Sequence, residues 1–264
     1  MDPQEIGYCD LSISKNFDLT QLQIIEKLGF NTVALNTYVE EVCEEPKKKK
    51  KKGAVREKQD YFPEPVPLPD DIKRNSKLNI LQRVTIEISD ASIALKINQS
   101  ENIKKYDIIA VLPKTLQAFQ YACGTMDVEI ITFALETRIP FKVSRKLYRQ
   151  AAERGIFFEL MYSAAIKDTT ARKNIISTAH NYHAVGKSKN LILSSGAEQP
   201  AQVRGIHDVI NLGFLLGVNS NEGIKLILNN PKQLINKAKG RRSGKLYMEV
   251  SAVSEVEDSS MVEE

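Results

Sequence analysis

A chain of 264 residues, 42% of them hydrophobic, has enough apolar material for one α/β barrel or two small domains, which excludes wholesale disorder. A formal charge of +4 permits a polyanionic partner without demanding one. Three scattered cysteines, Cys9, Cys43 and Cys123, with no C-x-x-C pair, argue against a structural zinc site and for a reducing compartment.

The opening residues, MDPQEIGYCD, lack the basic-then-apolar pattern of a signal peptide. Ile6–Leu11 reads as the first strand. In Leu19–Leu28, the residues Leu22, Ile24, Ile25 and Leu28 share one arc of a helix that Gly29 stops. Thr32–Asn36 is the second strand. Residues from about 40 to 79 form a long insertion holding a six-lysine run, Lys47–Lys52, and the proline-rich piece PEPVPLP. This stretch has no core-forming pattern and is expected to be mobile. The lysine run is a solvated loop, a nuclear-import signal or a loose RNA contact.

Arg83–Ile88 follows as a strand, and Ser92–Ile97 (SIALKI) is either a strand or a helix, since periodicity does not decide. Asp107–Leu112, Val128–Phe133, Ile156–Met161 and Asn190–Ser194 contain near-continuous apolar runs, the mark of strands buried on both faces. Asp168 is placed to cap a helix with Ala171, Ile175, Ala179 and Tyr182 on one side. Gly205–Leu216 is apolar on nearly every side, so that helix is expected to pack on two faces. The most apolar stretch, Val209 to Val218, is too short to cross a bilayer, so a soluble intracellular protein without a membrane partner is expected. A last helix is expected over Ser220–Asn229, ending before Pro231. The tail from 238 to 264 begins basic (KGRRSGK), ends acidic, and is expected to be disordered or loosely attached.

Strand–helix alternation implies parallel βα units. Seven strands suggest a distorted barrel or an open sheet, and an eighth would close a (β/α)₈ barrel. The barrel is favoured, as a single domain over residues 1–237.

Metal-dependent hydrolysis on such a barrel needs His and carboxylate ligands clustered at the strand ends. Only His180, His183 and His207 exist, the first two on one helix, and the first strand offers Asp10 without a histidine pair. No nucleophile elbow surrounds Ser194 and Ser195, whose backbone N–H groups are either a simple turn or a phosphate cradle. Basic residues accumulate instead: Lys114 and Arg138 after two strands, Lys167 after a third, Arg172 and Lys173 in the next helix, and Arg204 before another. If the strands are parallel, these converge on one rim. They form either a surface for a phosphate backbone or solvated charges with local pairs such as Lys167 with Asp168. The alternative function is a metal-dependent phosphoesterase with Asp10 and His207 near the rim.

The runs FFELMYSAAIKDTTARKNIISTA, KNLILSSGAEQPAQVRGIHDVINLGFLLGV and YDIIAVLPKTLQAFQYACGTMDVEIITFALETRIPF resemble the thirty-kilodalton protein subunit of ribonuclease P. Spacing and order agree from roughly Tyr106 to Asn230, and YCDLSI and LGFNTVALN are consistent with the same family. The resemblance implies a TIM-type barrel related to polymerase-and-histidinol-phosphatase barrels that have lost their metal ligands. It also implies a non-catalytic subunit of nuclear ribonuclease P, which removes the 5′ leader of precursor tRNA, and of ribonuclease MRP, which acts on ribosomal RNA precursors. The RNA subunit would carry the chemistry with magnesium, and this chain would bind no cofactor. Implied partners are the ribonuclease P RNA, precursor tRNA, the ribonuclease MRP RNA, a small ferredoxin-like subunit and other protein subunits, in the nucleus and nucleolus. An exposed apolar or mixed patch is expected for the small subunit. Lys167, Arg172 and Arg204 occupy recurring family motifs and are expected to touch RNA, while Gly205 and Asp208 are expected to start and cap a helix.

Overall fold

The computed structural model describes residues 6–40 and 60–244. Seven parallel strands pair in chain order: β1 (Cys9–Ser14), β2 (Thr32–Val39), β3 (Asn79–Ile88), β4 (Ile108–Pro113), β5 (Ile130–Ile131), β6 (Phe157–Met161) and β7 (Leu191–Ser194). The helices are α1 (Leu19–Lys27), α2 (Asp70–Asn75), α3 (Ala91–Gln99), α4 (Glu101–Lys105), α5 (Leu116–Gly124), α6 (Arg145–Glu153), α7 (Ser163–Lys167), α8 (Thr169–Gly186), α9 (Ile206–Leu215), α10 (Ser220–Gly223) and α11 (Asn229–Ser243).

The sheet curls into a nearly closed barrel. At the seam Gly196 N–H donates to Ser12 O and Ser14 N–H to Ala197 O, each at 2.8 Å, while Cys9 N–H reaches Ile227 O at 2.8 Å. A register slip between Asp10 and Ile13 lets β1 serve both neighbours. Strand alternation divides the core in two. Outward residues such as Val33, Val84, Ile109, Phe158 and Leu193 pack beneath the helices. Inward residues Cys9, Leu11, Ala34, Ile108, Ala110, Ile130, Phe157 and Ile192 fill the barrel. Burial pushes the Cys9 and Cys123 thiols up to about 12, so both stay protonated core groups.

Several expectations are corrected. The first strand lies three residues later than read, and the fifth pairs over only Ile130 and Ile131. Ser92–Ile97, left open between strand and helix by periodicity, is helical within α3, because Asp90 Oδ1 accepts the N–H groups of Ser92 and Ile93, and Ile93, Ala94 and Ile97 are buried. The described part of the insertion is tied down. The Asp60 carboxylate accepts from Ser100 Oγ and from Asn102 N–H, and Phe62 and Ile72 enter the core. The lysine run lies outside the described residues.

The last expected helix divides into α10 and a 3-10 turn over Ile224–Leu226. Pro231 does not end a helix. It stands in the first turn of α11, where its missing N–H deprives no helical carbonyl.

The tail read as starting at 238 begins too early, since residues 238–243 complete α11, and α11 is the floor of the barrel. Leu234 and Ile235 join the inner core. Lys237 Nζ donates to Val128 O and Gly155 O, both at 3.1 Å. Arg241 Nε donates to Glu129 Oε1 at 2.7 Å and its Nη2 to Tyr106 O, while Arg242 pairs with Asp107. These partners stand at the N-terminal ends of β4, β5 and β6. Residues 245–264 lie outside the described residues.

Candidate nucleic-acid interface and the barrel interior

Two charged side chains point into the barrel. Arg83 on β3 and Glu159 on β6 are both 0% exposed and form a two-pronged pair, Nη1–Oε1 and Nη2–Oε2, each 2.6 Å. Arg83 Nη1 also donates to Leu11 O at 2.7 Å, and its Nε to Thr85 Oγ1 at 3.2 Å. Burial pushes the Glu159 carboxyl up, but the adjacent guanidinium charge and its hydrogen bonds prevail and hold it below the ordinary glutamate value. Neither residue entered the sequence-based site, although a signal existed. A charge inside a strand buried on both faces must find a partner.

Asp10 sits at the seam, where its Oδ1 accepts the N–H groups of Ser12 (3.2 Å) and Ser195 (3.0 Å). Burial raises its carboxyl from 3.8 to about 6, with the Glu159 charge adding to the shift. The fold therefore favours the protonated acid. The associated stability is fully present below the unfolded value and is lost as pH rises through about 6. Asp10→Asn keeps an acceptor oxygen and removes the ionisation. Relative to it, the parent is expected to lose roughly 3 kcal/mol between about pH 4 and 7. Urea unfolding of both proteins across that range checks this, and equal pH profiles would refute it.

The same seam removes the phosphate-cradle reading of Ser194–Ser195–Gly196. The Ser195 N–H is taken by Asp10 and the Gly196 N–H by Ser12 O.

At the rim the six predicted cations divide. Lys114 pairs with Glu87 at 2.6 Å, and Tyr38 hydrogen-bonds the same carboxylate. Lys167 does not pair with Asp168. It reaches Glu198 at 3.1 Å, because Asp168 turns to accept the Ala171 N–H and cap α8. Arg172 Nε donates to Ala165 O at 2.8 Å, bracing α8 against α7. The Arg204 backbone N–H donates to Tyr162 Oη, just before α7, and its guanidinium to Ala201 O. Arg138 and Lys173 are exposed without an ion pair among the described residues. Asn174, next to Lys173, donates to Leu135 O and Glu136 O and ties the Arg138 loop to the same corner. Arg138, Lys167, Arg172, Lys173 and Arg204 thus gather around α7 and the start of α8, while the contact of Lys114 is with Glu87.

The phosphoesterase pair is not assembled, since Asp10 is buried at the seam and His207 is exposed on α9. Among the described residues, no three His, Cys, Asp or Glu side chains group as ligands for an ion. Gly205 starts α9 as expected, but Asp208 lies in the first turn and makes no capping bond. Nor is α9 packed on two faces. It buries Ile206, Val209 and Gly213, leaving Phe214 and Leu215 at 63% and 66% exposure, with Ile224 exposed in the following turn.

The family model of the RNase P subunit p30 matches residues 7–243. A Mus musculus relative, the Ribonuclease P protein subunit p30, is 35% identical over 229 residues, covering 85% of this chain and 83% of that one. The Ribonuclease P/MRP protein subunit RPP1 of Saccharomyces cerevisiae is 28% identical over 61% of this chain and 57% of its own. A chain in the cryo-EM structure of archaeal ribonuclease P with mature tRNA has a TM-score of 0.64 over 94% of this chain and 100% of that one, at 16% identity, a likeness of fold. With its barrel and a match running from the first strand to the end of the floor helix, the chain belongs to the RNase P subunit p30 family.

Proposed function

We propose that this protein is a non-catalytic subunit of nuclear ribonuclease P, supporting the catalytic RNA while the 5′ leader is removed from precursor tRNA. We extend the same role to ribonuclease MRP in ribosomal RNA processing. The observation that carries the reading is the Arg83–Glu159 pair. It places a permanent guanidinium cation inside the barrel, bound to the nearest carboxylate. That donor set does not suit a hydrolytic ion, because an arginine keeps its proton at any relevant pH. The chemistry, with its magnesium, then belongs to the RNA.

The cations around α7 and α8, with Lys114 along the rim, are the RNA contacts in this reading. Exchanging the exposed Lys167–Glu198 pair for a phosphate costs little, since such pairs contribute about 0–1 kcal/mol. The exposed Phe214, Leu215 and Ile224 supply the apolar patch on which the small ferredoxin-like subunit docks.

Affinity purification from nuclear extracts, with sequencing of the bound RNA, tests the assembly. Recovery of the ribonuclease P RNA with companion subunits supports it, and their absence overturns it. At the rim, Lys167→Gln and Arg172→Gln are each expected to lower RNA affinity and to flatten log K against log salt by about 0.7–0.9 per lost phosphate contact. Unchanged affinity and slope in both variants would withdraw the rim assignment.

A further inference from the structure

Between Thr137 and Gln150 the chain carries Arg138, Lys142, Arg145, Lys146 and Arg149 and not one carboxylate. All five side chains are exposed, and none joins an ion pair with the described residues. This differs from many cations elsewhere. Lys73, Lys104 and Lys225 each pair with an acid three residues earlier, and Lys77, Lys105, Lys114 and Lys167 pair with acids from other elements.

Helix α6 presents the cluster on a fixed platform. Its buried side holds Tyr148, Ala151 and Ala152. Tyr148 stacks on Phe158 with ring centroids 4.1 Å apart and donates to Lys189 O at 2.6 Å. On the solvent side Arg145, Lys146 and Arg149 fall within an arc of about 100° and span roughly 6 Å of helix axis. Arg145 and Lys146 stand in the first turn, where the helix dipole disfavours cations, and no acidic residue relieves them there. A local rule broken without internal compensation points to compensation from outside. Lys142 and Arg138 continue the cluster toward Lys173 through the loop that Asn174 holds to α8.

We propose that the exposed face of α6 is a second contact surface for an RNA phosphate backbone, adjoining the α7–α8 rim through the loop that carries Arg138 and Lys142. The proposal rests on the reading that this chain works bound to RNA. The chemistry favours a polyanion over a protein, because α6 carries no exposed large apolar side chain to centre a protein interface. It favours backbone contact over base reading, because no aromatic side chain is exposed on α6 to stack on a base.

The test uses the full chain, a plain RNA duplex and a precursor tRNA transcript, each titrated over a series of salt concentrations. The variant combines Arg145→Gln, Lys146→Gln and Arg149→Gln, all solvent-facing, and its circular dichroism and urea midpoint should match the parent. The expected result is at least a tenfold loss of affinity for both RNAs at low salt, with the salt slope reduced by about 2–3. Parental affinity and slope in that variant overturn the proposal. If Lys167→Gln and Arg172→Gln still weaken binding in that case, the α6 surface alone fails and the function proposed above stands. If the parent binds neither RNA, both fall. If the variant keeps RNA binding but loses a protein companion on purification, α6 is a protein surface and the proposal is wrong.

Discussion

Arg83→Ala is expected to destabilise the barrel by about 3–5 kcal/mol, because it strands Glu159 as an unpaired charge with no exposure. The pH dependence should change with it. In the parent the Glu159 carboxyl lies below its ordinary value, so the stability it contributes is present above the unfolded value and lost as pH falls through the folded one. Without the guanidinium, burial becomes the dominant influence on Glu159, ahead of the Ser194 and Thr132 hydroxyls, and raises its carboxyl, so the variant should recover stability as pH falls. Replacing the pair together, Arg83→Met with Glu159→Leu, should restore most of the loss, since an apolar pair of similar volume leaves no orphan charge. Urea unfolding at neutral and mildly acidic pH measures all three. If the double replacement is as unstable as Arg83→Ala, the pair serves the barrel by something other than mutual neutralisation.

Arg241→Ala is expected to cost about 2–4 kcal/mol, although the residue lies in a run that reads as a basic tail. Its guanidinium neutralises the buried Glu129 and donates to the Tyr106 and Asp107 carbonyls, all at the lower edge of the barrel. Burial already raises the Glu129 carboxyl despite Arg241, so the fold favours its protonated form, and that contribution weakens as pH rises. Removing Arg241 should raise the carboxyl further and make the variant's deficit shrink toward acidic pH. Thermal and urea unfolding of the variant at two pH values provide the check. A loss below about 0.5 kcal/mol, the size of an ordinary surface change, would show that α11 is a loosely held appendage.

Strand content was legible because the apolar runs of β4, β6 and β7 are buried on both faces and are dense in branched residues. The α8 cap was legible because Asp168 and the Ala171, Ile175, Ala179, Tyr182 stripe are local features. The rim site was legible in part. Strand polarity predicts which residues follow each strand, and Lys167, Arg172 and Arg204 do gather about α7. Their partners were not legible, because Glu198 comes from a different loop, 31 residues on from Lys167. Of the cations at α6 and the loop before it, strand polarity singles out Arg138 alone, because Lys142, Arg145, Lys146 and Arg149 follow no strand directly, although they form an acid-free run in the letters.

The sequence by itself determined the parallel βα pattern, the Asp168 cap of α8, the poverty in histidine and the family resemblance, since each is written in neighbouring residues or in the order of motifs. The tertiary structure alone decided how seven strands meet at the Asp10 seam, that SIALKI is helical, and that KGRRS is a floor instead of a tail. It alone set Arg83 against Glu159, 76 residues apart. The physical reason is common to all of these. What a buried charge or an open strand edge costs depends on what faces it across the fold, and periodicity along the chain carries no record of that.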